Sequence, residues 1–127
     1  HQVSLQCLRS EGLVRVDPTR MRQVLINLLS NAIKYNRPGG TVNVDARVQG
    51  HSVLLRVQDT GRGMSAAQLQ RLFEPFWRGD RADLRNDGGT GLGLTIAREI
   101  VERLGGSLVA ASRPQVDGMR FTVRLAA

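Results

Sequence analysis

The sequence is poor in several residue types, and each shortage excludes a class of protein. A single cysteine, Cys7, rules out an internal disulfide, and no Cys/His cluster has metal-ligand spacing. A buried, inert side chain is a far more common role for such a cysteine than a reactive thiol. No apolar run approaches the roughly 20 residues of a transmembrane helix. Aromatic residues make up only 4% of the chain, too few for platforms that stack nucleic-acid bases.

The charge is strongly basic and comes almost entirely from arginine. The formal net charge is +7, and Lys34 is the only lysine among the 18 basic residues. Basic domains often bind nucleic acid, but here the arginines are scattered singly along the chain. We therefore expect no nucleic-acid partner, and we assign the charge to a polyphosphate ligand and an acidic protein partner.

Strands and helices are predicted in alternating blocks within one domain, residues 1–127. Hydrophobic alternation predicts strands at 2–8, 13–16, 41–48, 52–58, 107–112 and 119–125. Helical spacing and capping signals predict helices at about 18–35, 66–73 and 92–104. These blocks predict an α/β (α+β) two-layer sandwich, in which one mixed, mostly antiparallel sheet has about three helices on one face. Residues 74–90 have no periodicity and predict a mobile loop.

The first predicted helix carries a polar stripe. Asn27, Asn31, Lys34 and Tyr35 fall within an arc of about 100°, at the edge of the apolar face. A solvated face with incidental asparagines is the more common explanation for such a helix taken alone. The alternative is functional: asparagine oxygens can bind Mg²⁺, Lys34 can contact phosphate, and Tyr35 can pack beside a base or ribose.

A first glycine-rich turn, Asp59 to Met64, follows a predicted strand directly. The Asp59 carboxylate can accept a hydrogen bond from an exocyclic amine such as that of adenine. Gly61 and Gly63 lack a Cβ, so the loop can approach a ring closely. The same turn formally matches the dinucleotide fingerprint G-x-G-x-x-G/A. A Rossmann fold is nevertheless disfavoured, because residues 74–90 contain no second strand.

A second glycine-rich turn, residues 88–93, leads into the third predicted helix. Free backbone N–H groups at a helix N-terminus form an anion site, which favours phosphate over a merely flexible connection. The turn lacks the lysine of a P-loop, and the chain lacks the protein-kinase motifs. Between the two turns, Phe73, Phe76 and Trp77 can anchor a lid, from which Arg78, with Arg81 or Arg85, can reach a terminal phosphate.

Taken in order, four segments resemble the N, G1, F and G2 boxes of bacterial sensor histidine kinases. They are Asn27–Tyr35, Asp59–Met64, Phe73–Phe76 and Gly89–Leu94. The match extends over nearly the whole chain. The resemblance implies the Bergerat (GHKL) fold, shared with gyrase, MutL and the heat-shock chaperone ATPase, with an ATP lid at about 74–90.

The resemblance also implies a set of site residues, with ATP and Mg²⁺ as cofactors. Asn31 becomes the principal Mg²⁺ ligand with Asn27 beside it, and Asn27, Asn31 and Arg78 form the catalytic group. The implied ATP-binding residues are Asn31, Lys34, Tyr35, Asp59, Gly61, Gly63, Met64, Phe76, Arg78, Gly89, Thr90, Gly91, Leu92, Gly93 and Leu94. Asn27 stands where the ATPase relatives carry a glutamate that activates water. Because an amide cannot take a proton, this difference favours transfer over hydrolysis.

The implied reaction is transfer of the ATP γ-phosphoryl group to a histidine in two-component signalling. Neither His1 nor His51 lies in an acceptor-type helix, so the acceptor is expected on an upstream dimerisation domain. A response-regulator receiver domain is the second expected partner. We expect the isolated domain to be monomeric and cytoplasmic, and its parent protein to be a homodimer that an inner membrane could anchor. The alternatives are a GHKL ATPase, an anti-sigma-type serine kinase, or a degenerate module that only relays conformation.

Overall fold

The computed structural model describes residues 3–9, 16–74, 93–113 and 117–126. Five strands form one sheet in the order β1-β2-β3-β5-β4. The strands are β1 (Val3–Arg9), β2 (Gly40–Gln49), β3 (Ser52–Asp59), β4 (Ser107–Ser112) and β5 (Met119–Ala126). β1 runs parallel to β2, whereas the other three pairings are antiparallel. The predicted mixed, mostly antiparallel sheet is therefore confirmed.

Three helices lie within the described residues: α1 (Pro18–Lys34), α2 (Ala66–Arg71) and α3 (Gly93–Arg103). The Asp17 carboxylate caps α1 by accepting from the backbone N–H of Thr19 at 2.9 Å. Ser65 and Gln68 form the predicted capping box at the start of α2. α1 and α3 contact each other, and both contact the sheet.

The core lies between the helices and one face of the sheet. Its fully buried side chains include Leu28 of α1, Val101 of α3, Val57 of β3 and Phe121 of β5. Along β5 every second residue is buried, which is the pattern of a strand that covers a core with one face only. This two-layer arrangement of helices on a sheet is the predicted fold class.

Three predicted details differ from the structure. The short helix ends at Arg71 instead of Phe73, with turn residues following it. Helical spacing also predicts Ile33 on the apolar face of α1, but its side chain is 40% exposed, whereas that of the neighbouring Ala32 is buried in the core. Val16 belongs to no strand, and the rest of the strand predicted at 13–16 lies outside the described residues. Residues 75–92, most of the predicted lid, also lie outside them.

Candidate nucleotide site

The polar stripe of α1 is half-buried, as its predicted position at the edge of the apolar face requires. Asn27, Asn31, Lys34 and Tyr35 are all neither buried nor fully exposed. Tyr35 is the C-cap of α1 rather than a helical residue, and its backbone N–H still donates to the Asn31 carbonyl at 3.2 Å. Asn27, Asn31 and Lys34 therefore lie on α1, whereas Tyr35 lies just beyond its end.

One hydrogen bond joins this stripe to the start of α3. The Asn27 side-chain Nδ2 donates to the Gly93 carbonyl oxygen at 3.1 Å, across 66 residues of sequence. Gly93 and Leu94 are the residues of the predicted G2 box that the structure describes, and Leu94 packs against the core. Thus the structure brings the predicted N box and the end of the predicted G2 box into contact.

The first glycine-rich turn packs against the other end of the stripe. A Cβ on Gly61 would overlap the carbonyl oxygen of Tyr35. Glycine is therefore required at position 61 by protein packing, a reason different from the predicted approach to a ligand. At Gly63 an added Cβ would find only ordinary contacts, the nearest at 3.5 Å, so the protein packing alone does not require glycine there.

Asp59 is buried at the base of this turn, with 4% of its surface exposed. Its Oδ1 accepts from the backbone N–H groups of Gly61 at 2.9 Å and Met119 at 3.1 Å. These two bonds fix the plane of the carboxylate, because they bind one oxygen from two directions. The carboxylate is thus held rigidly, as a group that reads a base must be.

The turn between β4 and β5 holds the first glycine-rich turn in place, and the sequence did not reveal this contact. Arg113 Nη1 donates to the Asp59 carbonyl at 2.9 Å, and Ser112 Oγ donates to the Met64 carbonyl at 2.8 Å. Gly118 has φ +128°, and a Cβ there would overlap the Asp59 carbonyl oxygen. A glycine in a turn was visible in the sequence, but its partner some sixty residues away was not.

A second group missed by the sequence analysis is a neutral cluster formed by Asn36, Thr41 and Thr60. Asn36 is 6% exposed, and its Nδ2 donates to the Thr41 carbonyl at 3.0 Å. Thr60 Oγ1 donates to Asn36 Oδ1 at 3.0 Å and accepts from the Thr41 N–H at 2.8 Å. The neutral cluster joins the end of α1, the start of β2 and the first glycine-rich turn.

A cleft of about 830 Å³ opens beside this junction. Of the predicted site residues that the structure describes, Lys34, Tyr35 and Gly61 line the cleft. The others do not: Asn27, Asn31, Asp59, Gly63, Met64, Gly93 and Leu94. The two asparagines lie further toward the N-terminus of α1, and Asp59 is buried below the turn. The described lining also carries the cations Arg37 and Arg62 and a single carboxylate, Asp117, so the cleft has the charge that suits an anion.

The turn that follows α2 is fixed to α3 through Phe73. Thr95 Oγ1 donates to the Phe73 carbonyl at 2.8 Å, and the Arg98 guanidinium lies 5.0 Å from the centre of the Phe73 ring. The predicted site residues Phe76, Arg78, Gly89, Thr90, Gly91 and Leu92 lie outside the described residues. Their roles therefore remain predictions.

The donors near the stripe fit a hard cation better than a soft one. In the described part of the chain, no three His, Cys, Asp or Glu side chains converge on a metal-binding position. The Asn31 side chain makes no hydrogen bond to any described residue, so its carboxamide oxygen can serve as a ligand. A single amide oxygen suits Mg²⁺, which keeps several waters and is bound in part by substrate phosphates.

Residues 16–127 match the family of "Histidine kinase-, DNA gyrase B-, and HSP90-like ATPase" domains. The chain belongs to this family. None of the helices in the described ranges is long and apolar enough to span a bilayer.

The similar proteins with curated descriptions are sensor histidine kinases. The chain is 40% identical over 121 residues to the circadian input-output histidine kinase CikA of Synechococcus elongatus, covering 95% of this chain and 16% of CikA. It is 42% identical over 109 residues to the sensor histidine kinase RcsC of Escherichia coli K12, covering 86% of this chain and 11% of RcsC. The chain thus spans less than a fifth of the length of either relative.

Solved structures similar to this chain include histidine kinases. The mycobacterial sensor histidine kinase MprB superposes with a TM-score of 0.87 at 28% identity, covering 98% of this chain and 83% of the other. Full-length ShkA, solved in complex with AMPPNP, superposes with a TM-score of 0.78 at 28% identity, covering 98% of this chain and 27% of ShkA. The resemblance noted in the sequence and the predicted Bergerat fold are therefore confirmed.

Proposed function

We propose that this chain binds Mg-ATP and transfers its γ-phosphoryl group to a histidine on a separate dimerisation domain. The observation that supports the proposal is that two segments distant in sequence contact the polar stripe of α1. Asn27 is hydrogen-bonded to Gly93 at one end of the stripe, and Gly61 packs on Tyr35 at the other. A nucleotide can therefore lie along the polar stripe, with its base near Asp59 and its phosphates near the start of α3.

Each described residue has a role that suits its position. The rigid Asp59 carboxylate accepts from the exocyclic amine of adenine, and Tyr35 packs beside the base or ribose. Lys34 contributes a positive charge to the phosphates. Asn31, with Asn27 next to it, is the proposed ligand of the Mg²⁺ ion. Beyond the described residues, Phe76, Arg78 and the glycine-rich segment 89–92 are proposed to close over the nucleotide.

Phosphoryl transfer of this kind depends on positioning and charge neutralisation more than on covalent help from the protein. A Mg²⁺ ion held by Asn31 and Asn27 would supply part of that neutralisation. Asn27 cannot act as a general base, and its Nδ2 is already committed to Gly93. Asn27 therefore cannot activate a water molecule, which favours transfer of the phosphoryl group to a protein nucleophile over hydrolysis.

The acceptor and the later steps lie on other domains in this proposal. His51 lies in the exposed turn between β2 and β3 and has no helical setting. We therefore assign the acceptor to an upstream dimerisation domain, through which the parent protein would be a homodimer, and the next acceptor to a receiver domain. Because ATP is the donor, the domain works in the cytoplasm, whether or not a membrane anchors the parent protein.

The first test is nucleotide binding by the chain itself. Calorimetric titration with ATP should give saturable heat with Mg²⁺. In Asn31→Ala, removing Mg²⁺ should no longer weaken binding, because the ligand through which the ion acts is gone. Absence of saturable heat from the unaltered chain would instead identify a degenerate relay module.

The second test is the chemistry of the product. With radiolabelled ATP and the dimerisation domain of the parent protein, we expect a phosphoprotein that is labile in acid and stable in base, as phosphohistidine is. An acid-stable product would indicate a serine kinase, and release of free phosphate without a phosphoprotein would indicate an ATPase.

A further inference from the structure

Asn36 stands outside every motif that the sequence analysis singled out, yet it is among the most buried polar residues described. It follows Tyr35 directly, and only 6% of its surface is exposed. A buried carboxamide is stable only when its donors and acceptors are satisfied. The question is therefore which groups satisfy Asn36, and what they hold together.

The bonds of Asn36 reach three different segments. Its Oδ1 accepts from the backbone N–H of Arg37 at 2.9 Å and from Thr60 Oγ1 at 3.0 Å. Its Nδ2 donates to the Thr41 carbonyl at 3.0 Å. The same Thr41 carbonyl accepts from the Thr60 N–H at 3.2 Å. One side chain thus ties the end of α1 to β2 and to the turn that carries Asp59.

The space around the neutral cluster is fully used. A Cβ on Gly40 would overlap Asn36 Oδ1 and crowd Thr60 Oγ1. Gly40 has no positive φ, so glycine is needed there for space and not for backbone conformation. The cluster cannot shift toward β2, which means that its position is fixed by packing as well as by hydrogen bonds.

We propose that Asn36 is a positioning residue for the nucleotide site. It sets the separation between Tyr35, one residue before it, and Asp59, one residue before its partner Thr60. These are the two side chains assigned to the base and ribose, so Asn36 governs both the affinity for ATP and the preference for adenine. The inference rests on the proposed function and adds to it a residue that acts through the positions of Tyr35 and Asp59, although Asn36 and Thr60 also line the cleft.

The test compares substitutions that remove the neutral cluster with one that preserves it. Asn36→Ala removes all the side-chain bonds, and the near-isosteric Thr60→Val removes only the hydroxyl. Thr60→Ser keeps that hydroxyl and serves as the matched rescue variant. Dissociation constants for ATP and GTP are measured by calorimetry, at a temperature where circular dichroism shows each variant to be folded.

We expect Asn36→Ala and Thr60→Val each to weaken ATP binding about tenfold, as the loss of a buried hydrogen-bond partner would. The preference for ATP over GTP should fall as well, since GTP presents a carbonyl where ATP presents the amine that Asp59 reads. Thr60→Ser should retain both. If Asn36→Ala does not fold, the comparison of Thr60→Val with Thr60→Ser tests the inference.

A purely structural role predicts a different result. Folded variants that melt at lower temperature but keep the affinity and base preference of the unaltered chain would overturn the inference. Asp45→Asn, in the middle of the sheet, is the control for destabilisation and should leave both constants unchanged. If the unaltered chain binds no ATP, the proposed function fails and the inference with it. If it binds and the variants bind equally, the inference alone fails.

Discussion

Two clusters of buried polar residues in this protein satisfy their hydrogen bonds with different kinds of partner. The neutral cluster of Asn36, Thr41 and Thr60 uses the carboxamide of Asn36 and the hydroxyl of Thr60, and most of its bonds go to backbone groups. A charged cluster of Asp45, Arg47 and Arg56 lies in the sheet and consists of bonds between side chains. Each cluster buries polar atoms without leaving its central residue unsatisfied.

The charged cluster links β2 and β3, which are already paired by backbone hydrogen bonds. Asp45 of β2 and Arg56 of β3 are direct register partners, and Arg56 donates two bonds of 3.1 Å to the two carboxylate oxygens. Arg47 adds one bond of 3.1 Å to Oδ2. Burial raises the pKa of Asp45, but the hydrogen bonds and charges of Arg56 and Arg47 outweigh it and lower the pKa below 3.8.

The difference teaches where a buried polar group can affect function. The charged cluster adds to a ladder of backbone hydrogen bonds, so its loss should cost stability and leave the geometry of the strands intact. In the neutral cluster, Asn36 joins the end of α1 to Thr41 and Thr60, which lie at the end of the β2–β3 ladder. No ladder holds α1 to these strands, so loss of the cluster should change the relative positions of site residues. The following predictions separate these two outcomes, beginning with the largest expected effect.

Asp59→Asn should weaken ATP binding about a hundredfold, equivalent to about 2.7 kcal/mol. The asparagine oxygen can keep the bonds from Gly61 and Met119, so its NH₂ group is left facing the amine of adenine, donor against donor. Calorimetric titration measures the change. An affinity within twofold of the unaltered chain would contradict the role given to Asp59.

Asp45→Asn should lower the free energy of unfolding by about 2 kcal/mol, because two arginines lose their carboxylate partner. The cost is below that of a fully buried ion pair, since the Arg47 side chain is 40% exposed. Urea denaturation measures the stability, and ATP binding should stay unchanged. A loss of ATP affinity as large as that of Asp59→Asn would break the distinction between the clusters.

The stabilisation from Asp45 should depend on pH in one direction only. Its pKa in the folded protein lies below the ordinary value of 3.8, so its contribution is present above that value and is lost as the pH falls through the folded pKa. Denaturation of the unaltered chain and of Asp45→Asn should therefore differ by a constant amount at roughly pH 5–7 and converge below about pH 4. A difference that grows in acid would show that the carboxylate is not the stabilising form.

Glu99→Gln should change the stability by less than about 0.5 kcal/mol. Its pair with Arg103 in α3 is short, at 2.8 Å, but the side chains of Glu99 and Arg103 are 59% and 79% exposed. Solvent screens such a pair, and ordering two long side chains offsets most of the attraction. A loss as large as that of Asp45→Asn would mean that contact distance, and not burial, sets the value of ion pairs in this protein.

The local signals in the sequence predicted the elements well. The Asp17 cap, the Ser65 capping box and the alternation of β5 act over a few residues, and each matches the structure. The prediction for Ile33 was wrong because helical spacing defines an apolar arc but not how much of that arc the core covers, and in the last turn the core covers Ala32 but not Ile33. Sequence motifs likewise predicted the candidate site residues, and the structure brings several of the described ones together.

The remaining features needed partners that are distant in sequence. Nothing in the sequence around Asn36 indicates a hydrogen bond with Thr60. Likewise, nothing around Arg113 indicates a hydrogen bond with the Asp59 carbonyl. The glycine at 118 was visible as part of a turn, but the reason for it is a carbonyl oxygen on another strand. No pattern of local spacing encodes such contacts, because they exist only after β3 has paired with β2 and β5 and α1 has packed on the sheet.

The sequence by itself determined the alternation of strands and helices, the family and the set of candidate nucleotide-site residues, because each of these follows from short-range periodicity or from ordered motifs. The tertiary structure alone decided the strand order, the burial of Asp59 and the neutral cluster that links α1 to the first glycine-rich turn. The physical reason is that hydrogen bonds and steric exclusion between distant segments act only when chain folding has brought those segments into contact.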